Sequence, residues 1–534
     1  MTQSALTELI FDEAYYWYYS QHMAWGYFDH PPMVALLIKL GGLLFPGELG
    51  VRFFSCLLGV GTILVLWLLV DNDGKRDHIP LFFLMLFSMV LLNAYGFLTL
   101  PDTPLLFFTV VFLWVYKRFL KENTWPNILF LGVAMACLMY SKYHAVLVIF
   151  FVLLSNLSLV RNSRAWAAVG VALLCYVPHL IWLYQNDFVP INYHLFERPN
   201  QPYNFEGFTL GYVTNLIVNF GLLFPWFFWA LFKAKADSKF KRALIFLSYG
   251  IMLFFFISSF QRRTQAQWVI VMCIPMALLT YGHLLSHAKN RKWAFRISIL
   301  SGILLLYARA WLVHAPLFPV FYETHGNKDW VNEVVKNVGD TPVVFENSYR
   351  RAPMYAFYSG NTSYSLNNAH YRKNQYSIDN SEAQVQNQRV AYITQYATSG
   401  DFHYHMPDST KFYGWYIDDF ESYRKIKCLV ERGSDASVGN ILKVKVVNPY
   451  DKQIPLSKLD FAVNYLNTHK QFIENVPITL VPEKKGLKTL DSKGVTYFTY
   501  TMPEPRKEKP SYFRVVISEN GLRHGLNGEN VKIH

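Results

Sequence analysis

Phe11-Asp12-Glu13-Ala14-Tyr15-Tyr16-Trp17, followed by Gly26-Tyr27-Phe28-Asp29-His30-Pro31-Pro32, is the stretch on which the reading of this chain turns. Two adjacent acids stand among aromatic rings, and a third acid precedes a histidine locked by two prolines. Strongly apolar segments follow at once. A carboxylate beside a membrane is costly and asks for a function. The stretch therefore reads as the floor of an active site at the non-cytoplasmic mouth of a helical membrane protein.

Working outward, 534 residues exceed one soluble core of ordinary size, so two or more domains are expected. Up to about residue 315 the chain is dominated by Leu, Phe, Val, Ile and Trp, with charges in short clusters; from about 320 it is rich in Asn, Lys, Ser and Tyr. This predicts a first external loop with interfacial helices over 1–50, a helical membrane domain over 51–315 and a soluble domain over 316–534. The first residues lack the basic and apolar regions of a signal peptide, and none is expected. The five cysteines show no paired spacing and imply neither disulfides nor a cysteine zinc site.

About ten segments approach the ~20 apolar residues that a bilayer crossing takes. They are 51–70, 79–98, 102–119, 125–141, 143–160, 165–185, 210–232, 242–260, 267–285 and 293–313. Clusters of Lys and Arg occupy every second loop: 71–77, 117–121, 161–164, 233–242 and 289–292. The net charge of +13 is thereby explained by the positive-inside pattern rather than by nucleic acid, which is excluded as a partner. The basic loops are cytoplasmic. The remaining ionisable residues, Asp12, Glu13, Asp29, His30, Asp102, Lys142, His144, those from Asp187 to Glu206, Arg262 and Arg263, then gather on the outer face. Residues 33–47 are apolar but short and carry Lys39, which suits an interfacial or re-entrant helix.

Past Pro316 the pattern predicts a strand over 341–347 running into a helix over 349–359, further strands over 390–396, 441–447 and 512–518, and a helix over 459–468. The sum is a mixed α/β external domain in two lobes.

Several of these blocks resemble the family-39 glycosyltransferases, which include protein O-mannosyltransferases and the bacterial transferases that add aminoarabinose to lipid A. Asp12-Glu13-Ala14-Tyr15-Tyr16 with Trp25-Gly26-Tyr27-Phe28-Asp29-His30-Pro31-Pro32 is similar to the first external loop of the bacterial branch. Glu48 to Arg52, Leu100-Pro101-Asp102-Thr103-Pro104 and Ser141-Lys142-Tyr143-His144 resemble later blocks, and the likeness runs from about residue 8 to 360. It implies a polytopic α-helical membrane protein of GT-C type with a C-terminal mixed α/β extracytoplasmic domain, in a bacterial inner membrane. It implies transfer, with inversion, of a sugar from a polyprenyl-phosphate-linked donor to a hydroxyl of a protein, lipid or glycan acceptor. The family pattern also has a membrane helix ahead of the Asp-Glu motif, and nothing of spanning length precedes Asp12.

Inverting transfer needs a base for the acceptor hydroxyl and cations or donors for the phosphate leaving group. The resemblance makes Asp12 the base; the plain alternative is an N-cap for the tyrosine-rich helix. Glu13 cannot face the same way as its neighbour and takes a substrate-side, structural or metal-adjacent role. Asp29 resembles an acid that contacts metal or acceptor, and His30 a phosphate-contacting group. Asp102 joins Asp12 as a catalytic candidate, set against the plain benefit of an acid at a helix start. Lys142, Arg262 and Arg263 suit a lipid phosphate or anionic headgroups equally. His144 and His194 are further substrate-side candidates. Tyr15 and Tyr16 offer faces to sugar or polyprenyl, or form an interfacial belt. The acidic cluster permits a divalent metal without demanding one. Two competing readings are a transporter or flippase of lipid-linked sugar, marked by charges or broken helices at mid-membrane, and an inactive scaffold whose external domain binds glycans.

Overall fold

The computed structural model describes residues 1–431 and 436–533. The chain divides into two compact units, one of Met1–Phe188 with Tyr203–His325, the other of Val189–Pro202 with Gly326 to the C-terminus. The segment 186–209, read from sequence as one outer loop, is thus shared between the units, and the second unit starts at 326 rather than 316.

Among the described residues of the first unit every regular element is a helix. Six are long and apolar enough to cross a membrane: Gly47–Leu69, Asp102–Lys121, Ser163–Gln185, Glu206–Lys233, Lys239–Ser258 and Ala288–Val313. The other expected spans are shorter. Trp125–Ser141 has 17 residues and Ala145–Ser155 has 11, while 267–285 opens with two 3-10 turns before Cys273–Ser286.

The expected span 79–98 breaks into Ile79–Phe87 and Val90–Ala94. At the break Ser88 turns its hydroxyl back onto the carbonyls of Leu84 (2.6 Å) and Ser298 (3.3 Å), competing with the helical ladder. A second interruption faces it. Gly221 has φ +56°, and a Cβ there would come within 2.8 Å of the Ser88 carbonyl oxygen. Only glycine tolerates both the dihedral and the approach.

Of the clusters read as basic loops, 71–77 lies between helices, whereas 117–121 forms the last turn of Asp102–Lys121 and 289–292 the first turn of Ala288–Val313. Lys75 Nζ donates to the carbonyls of Trp67 (2.9 Å) and Val70 (2.8 Å) at the end of Gly47–Leu69. Met33–Gly42 is a ten-residue helix with Lys39 exposed. It packs tightly on Gly47–Leu69, since a Cβ at Gly41 would collide with the Gly50 carbonyl oxygen.

In the second unit, helices Asn327–Val338 and Arg351–Ser359 accompany a five-stranded sheet ordered Ser363–Leu366, Val343–Glu346, Gln388–Thr394, Lys411–Phe420, Phe402–His405. The first three strands are parallel and the last two antiparallel. Two four-stranded sheets follow. One holds Phe472–Ile478, Asp460–Leu466, Tyr512–Ser518 and Val531–Lys532; the other holds Val481–Pro482, Val495–Thr501, Ile441–Val447 and Lys427–Val430. They share a core that includes Val444, Val446, Phe498, Val463, Phe513 and Val515. The helix expected over 459–468 is therefore a strand. Val463 and Tyr465 lie in the core with Phe461 packed against it, so the two-residue period of burial overrides the helical reading.

Candidate active site

The helix Phe11–Gln21 begins immediately after Ile10, whose amide donates to Glu13 Oε2 at 3.2 Å. The N-cap residue is Ile10, so Asp12 stands inside the first turn rather than at the N-cap expected as its plain alternative. Asp12, Tyr15, Tyr16 and Tyr19 recur at helical spacing along one face, while Glu13 turns towards Gly47–Leu69.

There Arg52 meets it. Arg52 Nε donates to Glu13 Oε1 at 2.7 Å and Nη2 to Oε2 at 2.5 Å, with both side chains fully out of solvent. The guanidinium also donates to the carbonyls of Ser4 (3.0 Å), Thr7 (2.5 Å) and Glu8 (2.9 Å), and the Thr99 amide donates to Glu13 Oε1 at 2.8 Å. Four chain segments are tied at one buried ion pair. This geometry corrects the substrate-side expectation for Glu13, whose oxygens are both committed.

Asp29 lies against the aromatic face of the same helix. Tyr19 donates its hydroxyl to Asp29 Oδ1 at 2.5 Å. The Tyr19 ring stacks on Tyr27 at 4.2 Å and 6° and meets Tyr15 at 4.7 Å, while Tyr16 stands edge-on to His30 at 5.5 Å. Burial, then the adjacent Asp29 carboxylate, hold the Tyr19 hydroxyl well above the ordinary tyrosine range, so it remains a proton donor to that acid. Pro31 and Pro32 end this turn and open Met33–Gly42.

Asp102 is the first residue of its membrane helix, and Lys142 caps the end of Trp125–Ser141. Lys142 Nζ reaches both oxygens of Asp102, at 2.7 and 2.9 Å, in a largely buried pair. The two were expected in separate roles; they form one unit. Asp12 shares its neighbourhood, since the Asp102 and Asp12 carboxylates both bear on the Tyr95 hydroxyl. Glu323, Glu13 and Asp12 also act on Tyr322.

Tyr95 is part of the wall of a cavity of about 380 Å³ between Gly47–Leu69 and the interrupted helix pair. Its lining is apolar (Ile63, Phe83, Leu86 and Phe87 among others) except for Thr62, Asn93, Tyr95, Thr103 and Arg309. Arg309 Nη1 donates to Asn93 Oδ1 at 3.2 Å, and its guanidinium lies 4.3 Å over the Phe97 ring. Its Nε also donates to Gln3 Oε1 at 3.5 Å, so among the described residues its contacts are two side-chain amides and an aromatic face, with no carboxylate. Sequence reasoning passed over Arg309, although a lone cation near the end of an apolar run is the signal for it. It also missed His179, which is buried and joins the Trp25 carbonyl (2.6 Å) to the Tyr143 hydroxyl (3.2 Å).

The remaining candidates lie elsewhere. His144 packs its ring against Phe255 (5.6 Å) and Trp268 (5.5 Å). Arg262 is half-buried and Arg263 exposed in the turn after Lys239–Ser258. His194 sits edge-on to Tyr193 in the Val189–Pro202 segment of the other unit. For the metal role expected of Asp29, its Oδ1 receives the Tyr19 hydroxyl, and among the described residues no three His, Cys, Asp or Glu converge around it.

Residues 29–182 match the dolichyl-phosphate-mannose-protein mannosyltransferase family. A lipid A galacturonosyltransferase of Rhizobium johnstonii, RgtD, is 24% identical over 297 residues, covering 51% of this chain and 60% of that protein. The chain thus spans three fifths of that relative's length. Among solved structures, ArnT of Cupriavidus metallidurans in the apo state superposes with a TM-score of 0.54 at 15% identity, over 73% of this chain and 90% of that one. The same protein bound to undecaprenyl phosphate gives 0.51 at 14% identity with the same coverage. The fold is that of these membrane proteins, and the chain is an integral membrane protein.

Proposed function

We propose that the chain is a membrane glycosyltransferase of GT-C type, a reading supported by the fold it shares with ArnT and by the family match over 29–182, and that it moves a sugar from a polyprenyl-phosphate donor to an acceptor hydroxyl. Transfer proceeds with inversion on the extracytoplasmic face of a bacterial inner membrane. The observation that carries this reading is Tyr95. It lines the apolar cavity that also holds Arg309, and it is the group on which Asp12 and Asp102 both act. An isoprenoid tail suits the apolar wall, and a phosphate suits a guanidinium that has no carboxylate of its own.

In this assignment Asp12 takes the acceptor proton. The Asp102–Lys142 pair places a cation beside the reacting centre and fixes the acid. Arg309, rather than Arg262 or Arg263, holds the carrier phosphate. Tyr15, Tyr16 and His30 face the sugar. The lipid A named for RgtD makes a lipid acceptor the first to try. The transporter reading has one observation in its favour, the paired interruptions at Ser88 and Gly221, but the contacts there are to serine hydroxyls, backbone and Val90.

The test is label transfer by the purified full chain in lipid, from undecaprenyl phosphate carrying mannose, aminoarabinose or galacturonic acid, with wild type and Asp12→Asn. A positioned base contributes about 10²–10⁴-fold, so wild-type transfer falling by at least two orders of magnitude in the variant is the expected result. Equal transfer in both would move the base to Asp102. Donor loss without transfer to any acceptor, or labelled lipid simply appearing across the bilayer, would replace the transferase with a transporter.

A further inference from the structure

The second unit holds a cavity of about 150 Å³ that the transfer reaction does not use. Its walls come from three places in the chain: the Tyr193–Pro199 turn, Ala369–Lys373 beyond the five-stranded sheet, and the sandwich strands that carry Phe472 and Arg514. Four cations line it, Arg372, Lys373, Lys470 and Arg514, against two acids, Glu197 and Glu529.

Arg514 is the telling group. Nε donates to Asn464 Oδ1 at 2.7 Å and Nη2 to the Ala369 carbonyl at 3.2 Å, both neutral acceptors. Glu197, the acid that acts on it, is the one towards which Lys373 also points at 3.9 Å. Burial lowers the affinity of this guanidinium for its proton, yet leaves it charged at neutral pH. Arg514 is half-buried, and a cation partly withdrawn from water and compensated mainly by neutral groups lacks part of its counter-charge. Rings stand beside it: His370 lies 3.7 Å from Phe472, and Tyr193 donates no charge but accepts from Arg372 Nη1 at 2.9 Å. The volume matches one that admits a six-membered ring.

We propose that this cavity binds an acidic saccharide, a sugar ring carrying a carboxylate or phosphate, with Arg514 on the anionic group and Phe472 against the ring. Carboxylate and phosphate both take the forked guanidinium donors, and aromatic faces cover the apolar C–H surface of a pyranose. Binding here requires neither donor lipid nor Asp12.

The experiment is calorimetry on the full chain in detergent, without donor, using glucuronic acid, glucose 6-phosphate, glucose and inorganic phosphate. The two acidic sugars should bind at least tenfold tighter than glucose and than phosphate alone. Arg514→Gln should remove that preference while Asp12→Asn keeps it, which separates this site from the transfer reaction. Should Arg514→Gln unfold, Lys373→Gln with Lys470→Gln, both at the cavity rim, should weaken acidic-sugar binding at least fivefold at unchanged Tm. Equal affinity for glucose, equal affinity for phosphate alone, or acidic-sugar binding that survives these substitutions in folded protein would each overturn the proposal.

Discussion

Arg52 grips both carboxylate oxygens of Glu13, at 2.7 and 2.5 Å, in a place that solvent does not reach. The acid next to the candidate base is thereby a tie between helices, and the base is held from behind by structure. Removing one partner of such a pair strands a buried charge and costs about 3–5 kcal/mol. Arg52→Met should therefore sharply reduce Tm and membrane abundance. The double variant Arg52→Met/Glu13→Leu should recover part of the loss, read by thermal unfolding in detergent. Loss of transfer at unchanged Tm would contradict a structural role.

Asp102 and Lys142 should behave as one unit. Asp102→Asn and Lys142→Met each break the same buried pair, so the double variant should fall no further than the worse single one, with a coupling of about 1–3 kcal/mol. Additive losses in a double-mutant cycle on Tm would mean that the two act separately.

Arg309→Gln removes the cavity's cation while keeping a donor for Asn93. The expected result is a rise in KM for the lipid-linked donor of about tenfold or more, the cost of one charge-assisted contact, with a smaller effect on kcat. Steady-state transfer against donor concentration checks it. An unchanged KM would return the carrier phosphate to Arg262 or Arg263.

His370 and His524 both have pKa values lowered, first by burial and then by nearby cations, Arg523 and Arg424 respectively. The unfolded chain keeps the ordinary value of about 6.5. Their contribution to stability is thus complete above that pH and is lost as pH falls, because the unfolded chain takes up protons that the folded one refuses. Thermal unfolding of the second unit should weaken between pH 7.5 and 5.5, and His370→Gln should flatten that slope. A steeper slope in the variant would refute the assignment.

Much of this site is local information. Hydropathy marks the apolar segments and the basic loops between them, and an acid-aromatic stretch beside them is visible without any coordinates. The helical period is enough to separate Asp12 from Glu13. Strands at 441–447 and 512–518 fall where β-branched runs predict them. Short apolar runs are where local reading fails: the strand Asp460–Leu466 reads as a helix until its alternate residues meet a core.

What the sequence by itself determined is which residues are dear to bury, since the cost of a carboxylate or guanidinium near lipid is a property of the group. What only the tertiary structure decided is the partner that makes each one bearable. Lys142 lies 40 residues from Asp102 and Arg52 lies 39 from Glu13. Arg309 reaches Asn93 across 216. Such pairings follow from which helix faces touch, and many arrangements of apolar helices satisfy the same hydropathy. Packing selects one of them, and with it the acids that stay available for chemistry.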